Sequence, residues 1–427
     1  MKDRIAIIDG LRTPIAKAGG KLRDIKAEAL GSFILKELLC RNDIDKKLFS
    51  EVIVGNVSQP AHAANIARVI ALRAGFDESL PAYTVHRNCA SGMEAITTAS
   101  DKIKAYGDGI YMCGGVESMS NIPLIYSPKM TLFFENLMKS KTLSQKLQTI
   151  FSFRPSALKP VIGLMQGLTD PMNGLIMGKT AEVLAQDFGI TRKEQDEFAL
   201  ASHQKATKAK NDGILAQEIA PIIYKNSNIM TDDDGMRDLL TMEGLAKLKP
   251  FFDRKNGTVT VGNSSQVSDA AAGVIIMSEK KAKDMGLEPL GYLSSYTYAG
   301  LEPLRMGLGP VYSTAKLFKQ EKLSLKDIDL IELNEAFAAQ VLANIKAFDS
   351  NIYAKEHLGM SKALGSIDTN ILNVNGGGVA LGHPVGMTGT RIVIHTLKEL
   401  RRRGKNRGLA TLCIGGGQGA SLILEVE

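Results

Sequence analysis

Cross-linking chemistry is scarce in this chain. Only four cysteines, Cys40, Cys89, Cys113 and Cys413, are spread over 427 residues, without a Cys-x-x-Cys pair or a short ligand-like spacing. A disulfide scaffold is not expected in a chain of this size, no short metal-ligand spacing is present, and a reducing compartment is the reading. No Gly-x-x-x-x-Gly-Lys-[Ser/Thr] stretch occurs, so a P-loop phosphate cradle is excluded as well. Long apolar runs are missing too, and with them a membrane-spanning helix. The opening MKDRIAIIDG enters an apolar stretch at once and leaves no room for a signal peptide, while the closing LEVE is no targeting address. A cytoplasmic protein is the expectation. The basic run RRRGKNRG at 401–408 has no interleaved aromatics, so it reads as solvated surface or a phosphate contact, with no nucleic acid as partner.

What is present is the composition of a soluble globular protein, 44% hydrophobic and 23% charged. At this length two or three domains are expected. The formal charge of +7 suits a polyanionic partner such as a phosphorylated cofactor or an anionic lipid.

The chain also resembles itself. PAYTVHRNCASGMEAITTASDKIKAYGDGIYMCGGVESM reads as strand, turn, small-residue helix, apolar strand and Gly-Gly, and ILNVNGGGVALGHPVGMTGTRIVIHTLKELRRRGKNRGLATLCIGGGQG repeats that order. Upstream of each, an apolar strand runs into Asn56 (FSEVIVGNVSQ) or Asn334 (IDLIELNEAFA), after a helical stretch, KAEALGSFILKELL or VYSTAKLFKQEK. Strands alternating with helices predict an α/β fold of duplicated βαβ units. Its functional groups are expected where strand carboxyl ends meet helix N-termini. One half spans 1–121 plus 253–290, the other 291–427, with an inserted loop domain over 122–252. GTVTVGNSSQVSDAAAGVIIM at 257–277 is read as a return to strand and helix.

Four loops carry the chemistry. Cys89 opens the helical stretch ASGMEAITTASDKI, where the partial positive charge and unpaired N–H groups of a helix N-terminus favour thiolate and can hold an oxyanion. A buried structural cysteine is the plain alternative. His383 occupies the corresponding turn of the second half, in NGGGVALGHPVGMTG, whose six glycines suit tight turns and close backbone approach to a ligand. Alone it could simply cap that turn. Opposite Cys89 it is the usual partner for activating a thiol. Cys413 ends the strand GLATLCIGG before a glycine run, reachable enough to exchange protons with carbon acids, whereas Cys113 reads as a small strand-end hydrophobe. Asn334 ends its strand with an amide able to donate to a water or an oxyanion, and Glu335 could orient it or a neighbour.

Together HRNCASG, NEAFAAQ, GGGVALGHPVGMTGTR and CIGGGQG resemble the thiolases, acyl-CoA:acetyl-CoA C-acyltransferases, in order and along essentially the whole chain. LGPVYSTAKLF, LANIKAFDSNIYAKEHLG and the inserted region are similar to the β-subunit branch of trifunctional fatty-acid oxidation complexes. The resemblance implies a five-layer α/β/α/β/α core and thiolytic cleavage of 3-ketoacyl-CoA, as in β-oxidation. Cys89 would attack the keto carbonyl and become acylated, and Cys413 would protonate the departing acetyl-CoA enolate. His383 would activate Cys89 and, with a water held by Asn334, stabilise one oxyanion; the backbone N–H groups of Cys89 and Gly415 would form the other oxyanion hole. Ser265, in GNSS, would contact the CoA pantetheine. Coenzyme A and acyl-CoA enter as substrates, with no metal and no covalently bound cofactor, and a homodimer or dimer of dimers is implied. Two positions depart from the pattern: Asn334 stands where the trifunctional β-subunits carry histidine, and Gly378 where many relatives carry a larger residue.

Rival readings use the same residues or fewer of them. A biosynthetic acetyl-CoA acetyltransferase, condensing two acetyl-CoA into acetoacetyl-CoA, has the same site. A ketosynthase would show Cys-His-His or Cys-His-Asn instead, and an inactive lipid- or partner-binding relative would not retain Cys89, Asn334, His383 and Cys413 together. The stretch 122–165 mixes apolar and aromatic residues with Lys129, Lys139, Lys141, Lys146, Arg154 and Lys159 against Glu135 alone. It suits a cover over an acyl tunnel, a peripheral contact with an anionic membrane, or a docking face for a hydratase–dehydrogenase α-subunit. A solvated helix with an ordinary buried face is the bland alternative.

Overall fold

Apolar runs such as IAIIDGLR and IYMCGGVES become strands covered on both faces, and the sheet they build organises the molecule. The structure, a computed structural model, describes residues 4–107 and 109–427. Its main sheet contains β1 (Ile5–Arg12), β2 (Ala16–Lys17), β3 (Phe49–Gly55), β4 (Ala82–Val85), β5 (Ile110–Ser118), β6 (Ser268–Ser278), β7 (Gly291–Gly300), β8 (Leu330–Leu333), β9 (Arg407–Ile414) and β10 (Gln418–Glu425). The order is β8-β9-β10-β7-β1-β6-β5-β3-β4, with β2 paired to β6. The longer helices are α1 (Ala27–Asn42), α2 (Ile66–Ala74), α3 (Ser91–Tyr106), α4 (Pro128–Lys139), α5 (Leu143–Phe151), α6 (Met177–Asp187), α7 (Arg192–Asn211), α8 (Gly309–Glu321), α9 (Ala338–Phe348) and α10 (Val385–Arg403).

The internal repeat is visible in the pairing. β3 lies parallel to β5, and β5 antiparallel to β6; in the second half β8 lies parallel to β9, and β9 antiparallel to β10. β4 runs parallel to β3 just before Cys89, and a single parallel bridge, Ile331 to Leu372, holds the same place beside β8 just before the glycine-rich turn of His383. The halves join edge to edge where Ile5, Ala6 and Ile7 of β1 face Leu293, Tyr292 and Gly291 of β7.

Because successive strand residues point to opposite faces, each strand feeds two cores. Ile5 and Ile7 enter a central cluster with α3 and α10, while Ala6 and Ile8 enter an outer cluster with α1 and α2. In β9, Ala410, Leu412 and Ile414 face the central cluster, and Leu409 and Cys413 the outer one under α8 and α9. The layers are helix, sheet, helix, sheet, helix, as the resemblance implies. At the centre α3 and α10 cross almost backbone to backbone: a Cβ on Gly92 would fall 2.5 Å from Thr390 Oγ1, and one on Gly389 2.6 Å from Met93 N. Only glycine permits that separation, and it brings the two helix N-termini together.

Two local expectations change. The helix expected after GTVTVGNSS is absent: 257–267 is irregular, and Ala270–Ala272 lie within β6, where ladders to β5 and β1 override alanine's helix preference. The stretch 122–165 folds as a helical hairpin, closed by the ladder Leu124–Ile125 with Val161–Ile162 and by contacts of Phe133 with Phe153 and Phe134. It leaves Met138, Leu143 and Phe151 at least three-quarters exposed. Among the described residues no helix is long and apolar enough to cross a membrane.

Candidate active site

Cys89 sits in the turn between β4 and α3 rather than on the helix itself. The turn is tied by the Ala90 N–H to Arg87 O and by Ser91, whose hydroxyl donates to Asn88 O at 2.7 Å and accepts from Arg87 N at 2.9 Å. Asn88 adopts a left-handed φ of 45°. Its side chain donates to Gly415 O at 2.7 Å, so the Cys89 turn is bonded directly to the β9–β10 turn of the other half. Arg87 adds a second tie, donating to Gln418 at 3.1 Å while paired with Glu94.

The Cys89 thiol is half-buried. Burial raises its pKa above the usual thiol range; the N–H groups of Gly415 and of Cys89 itself pull the other way, and the charge of Glu117 adds to the rise. A helix N-terminus by itself would favour thiolate, and here burial acts against it. Desolvation outweighs the helix terminus, so the group rests as a thiol and needs a base.

His383 can be that base. Its Nδ1 lies 2.6 Å from Thr388 Oγ1, and that hydroxyl donates its own proton to Pro384 O at 3.0 Å. With its proton on Pro384 O, Thr388 accepts from Nδ1–H, and in that tautomer Nε2 carries no proton. Nε2 is buried and has no hydrogen-bond partner among the described residues. Burial and then the charge of Arg391 lower the imidazole pKa to about 4, so it is neutral at physiological pH.

Cys413 is the next-to-last residue of β9, just before the tight turn into β10, where Gly416 and Gly417 take φ of 88° and 81°. Burial first and the neighbouring Cys89 second push its thiol pKa well up. The two sulfurs thus lie close enough for the charge on one to act on the other. Asn334 leaves β8 with its backbone N–H on Thr411 O at 3.0 Å, yet neither atom of its buried amide bonds to a described residue. Gly378 lies against it: a Cβ there would be 3.2 Å from Asn334 Oδ1 and 2.6 Å from Glu335 O. That contact accounts for glycine at the departing position.

Glu335 orients a neighbour rather than the Asn334 amide. Its carboxylate accepts from Ser202 Oγ at 2.6 Å, Asn373 Nδ2 at 2.9 Å and Val379 N at 3.2 Å, pinning the glycine-rich loop that leads to His383. Burial raises its pKa. Ser265 is half-buried, and its N–H donates to Ala336 O at 2.9 Å, so the GNSS loop runs along the Asn334 loop. The Gly415 N–H thus acts on the Cys89 thiol, Asn88 bonds Gly415 O, and the charges of Cys89 and Cys413 act on each other. Asn334, Glu335 and Ser265 flank the His383 loop, and the His383 N–H donates to Gln266 O, next to Ser265, at 3.1 Å. Sequence reasoning passed over Thr388, Asn88 and Glu117; Thr388 is visible only as a hydroxyl five residues beyond His383. Among the described residues no group of three or more His, Cys, Asp or Glu could hold a metal ion.

Residues 5–280 match the family described as thiolase, N-terminal domain, and residues 287–426 that described as thiolase, C-terminal domain. The chain is 42% identical over 427 residues to the 3-ketoacyl-CoA thiolase of Yersinia enterocolitica, covering 100% of this chain and 97% of that one. To the 3-ketoacyl-CoA thiolase of Aliivibrio fischeri it is 41% identical, covering 100% and 96%. Among solved structures, the acetyl-CoA acetyltransferase of Bacillus anthracis superposes with a TM-score of 0.86 at 37% identity, covering 99% of this chain and 98% of that one. Human mitochondrial 3-ketoacyl-CoA thiolase in complex with CoA superposes with a TM-score of 0.86 at 36% identity, covering 100% and 98%. A duplicated core whose halves meet at a glycine-lined helix crossing, matched by both domain families over residues 5–280 and 287–426, leaves one assignment: the chain belongs to the thiolase family.

Proposed function

We propose that the protein cleaves 3-ketoacyl-CoA with free coenzyme A, releasing acetyl-CoA and an acyl-CoA shortened by two carbons. The observations that support this are the bare Nε2 of a neutral, buried His383 and a half-buried Cys89 thiol held by the Gly415 N–H, close enough to a second thiol, Cys413, for their charges to interact. His383 Nε2 takes the Cys89 proton as Sγ attacks C3 of the substrate. The C2–C3 bond then breaks, its electron pair stays on C2 as the acetyl-CoA enolate, and Cys413 delivers its proton there. Coenzyme A attacks the Cys89 thioester and restores the proton on Cys413, and the imidazolium returns its proton to Cys89. The N–H groups of Cys89 and Gly415 would hold one oxyanion, and His383 with a water on Asn334 the other. Each such donor lowers the barrier by about 3 kcal/mol. Ser265 would meet the pantetheine, and Glu335 would fix the glycine-rich loop.

Cys89→Ser tests the scheme: thiolysis is expected to vanish with the fold intact, and acetyl-CoA to label Cys89 in the wild-type protein. Full turnover by the variant overturns it. The likeness to the Bacillus anthracis acetyltransferase supports a second reading, condensation of two acetyl-CoA. Thiolysis of chains longer than four carbons separates the two, and activity confined to the four-carbon substrate favours condensation.

The proposal extends to organisation. The halves would comprise 1–121 plus 253–290 and 291–427, with 122–252 as the loop domain. β4 pairs on one side only, leaving an open edge that suits a homodimer. The hairpin at 122–165, basic and widely apolar at its surface, suits an anionic membrane or the α-subunit of the trifunctional branch. Sedimentation alone, with phosphatidylglycerol vesicles and with that subunit separates these; a monomer indifferent to both rejects them.

A further inference from the structure

We propose that Glu117 is a positioning residue of this reaction: its buried carboxylate clamps the first turn of α10 against the 56–58 loop and so holds His383 in register with Cys89. The inference rests on the roles of Cys89 and His383 proposed above and adds a residue outside that set.

Glu117 is the next-to-last residue of β5 and is 1% exposed. Its Oε2 accepts from Gly386 N at 2.9 Å and Val57 N at 3.1 Å, and its Oε1 from Ser58 N at 3.0 Å and Asn56 Nδ2 at 3.3 Å. Four donors from two loops converge on one carboxylate. They come from opposite halves of the repeat, since 56–58 follows β3 and Gly386 opens α10.

Gly386 is gripped on its other side as well. A Cβ on Gly115 would fall 2.1 Å from Gly386 O, and one on Gly92, in the first turn of α3, 3.0 Å from the same oxygen. The N–H of Gly386 is thus held by Glu117 and its carbonyl by the glycines of β5 and α3. Gly386 lies between His383 and Thr388, the hydroxyl that receives Nδ1–H. A shift at Gly386 therefore displaces the imidazole and its orienting partner together, and an error of about 1 Å in such a placement costs roughly 10²-fold in rate. Burial lifts the carboxyl pKa to about 7, while the N–H groups of Ser58, Val57 and Gly386 act to lower it. Packing alone would be served by an apolar side chain. An acceptor is needed because the Gly386 N–H would otherwise be buried without one and the Val57 and Ser58 N–H groups would lose theirs; Asn56 Nδ2 keeps a second acceptor, Val116 O, at 2.9 Å.

The test is a double-mutant cycle of Glu117→Gln and His383→Ala, read by thiolysis and by iodoacetamide alkylation of Cys89 at pH 7. Glu117→Gln is expected to lower kcat by about 10²-fold with KM little changed, and to slow alkylation to the rate of His383→Ala. In the His383→Ala background it should cost nothing further. Losses that multiply in the double variant, a loss carried by KM, or unchanged kcat overturn the proposal. So does faster alkylation, because Glu117 would then act only by repelling the thiolate. If Glu117→Gln does not fold, Glu117→Asp, which keeps the charge, is read in the same cycle. His383→Ala with full turnover overturns the His383 role itself, a result distinct from failure of Glu117 alone.

Discussion

At the scale of single residues the reaction depends on one tautomer. Thr388 spends its proton on Pro384 O and so fixes the imidazole proton on Nδ1. With its pKa lowered to about 4, His383 should remain neutral from pH 5 to 8, and nitrogen-detected NMR of labelled histidine should show the proton on Nδ1 throughout. A titration midpoint near 6.5 would place the ring in water and refute the assignment. The same shift bears on stability with a definite sign. An unfolded histidine binds its proton near pH 6.5 and the folded one only near 4, so this contribution is fully present above 6.5. It is lost as pH falls through that window, at about 1.4 kcal/mol per pH unit. Thr388→Val keeps the shape and removes the acceptor. A buried donor left without a partner costs about 1–3 kcal/mol, so kcat should fall by roughly 5- to 100-fold with KM retained. A loss confined to KM would mean that Thr388 serves binding instead.

At the scale of elements, the features legible in sequence were those that repeat locally. Alternation of strand and helix, the paired Asn56 and Asn334 strand ends and the two glycine-rich turns all lie within short windows, and they became the elements expected, except that ILNVN, expected as a strand, forms only the isolated bridge of Leu372 to Ile331. What stayed hidden depends on partners far along the chain. The resting protonation of Cys89 is set by burial and by Gly415, more than three hundred residues away, and nothing in HRNCASG reveals it. Ala270–Ala272 look helical until β5 and β1 flank them. Glu117 in GGVES looks like an ordinary strand end until four N–H groups meet it. The crossing of α3 and α10 is likewise invisible locally, although its glycines stand in plain view. Gly389→Val tests how far that crossing sets the site: its Cβ would strike Met93 N, a backbone atom that cannot rotate away. Overpacking of this kind costs about 1–3 kcal/mol. Because it separates the helix N-termini carrying Cys89 and His383, the variant should lose more in kcat than in melting temperature. A variant as active as the wild type would show that the site tolerates a wider crossing.

At the scale of the whole molecule, residues 218–233, within the proposed loop domain, are tied to β1 and α10 by charge. Arg12, fully buried at the end of β1, donates through Nη1 and Nη2 to Asp233 at 2.6 and 2.9 Å and through Nε to Glu218 at 2.7 Å. Glu218 in turn bonds His395 Nδ1 at 2.8 Å, on α10, the helix that follows His383. Asp233 also accepts from Ile15 N at 2.7 Å. The chain thus uses one guanidinium to fasten 218–233 to β1 and, through His395, to the central helix layer. A buried ion pair need not outperform an apolar replacement, but removal of one partner strands the other charge, at about 3–5 kcal/mol. Asp233→Ala should therefore shift the denaturation midpoint by an amount in that range. Because the stranded Arg12 sits at the seam, proteases should cut between residues 218 and 262 before the main transition. The thiols and His383 belong to the core side of the seam, so Cys89 alkylation should survive while thiolysis, which needs the bound CoA substrate, declines. A loss below about 1 kcal/mol, with no earlier cleavage, would mean that packing rather than the Arg12 cluster fastens the insertion.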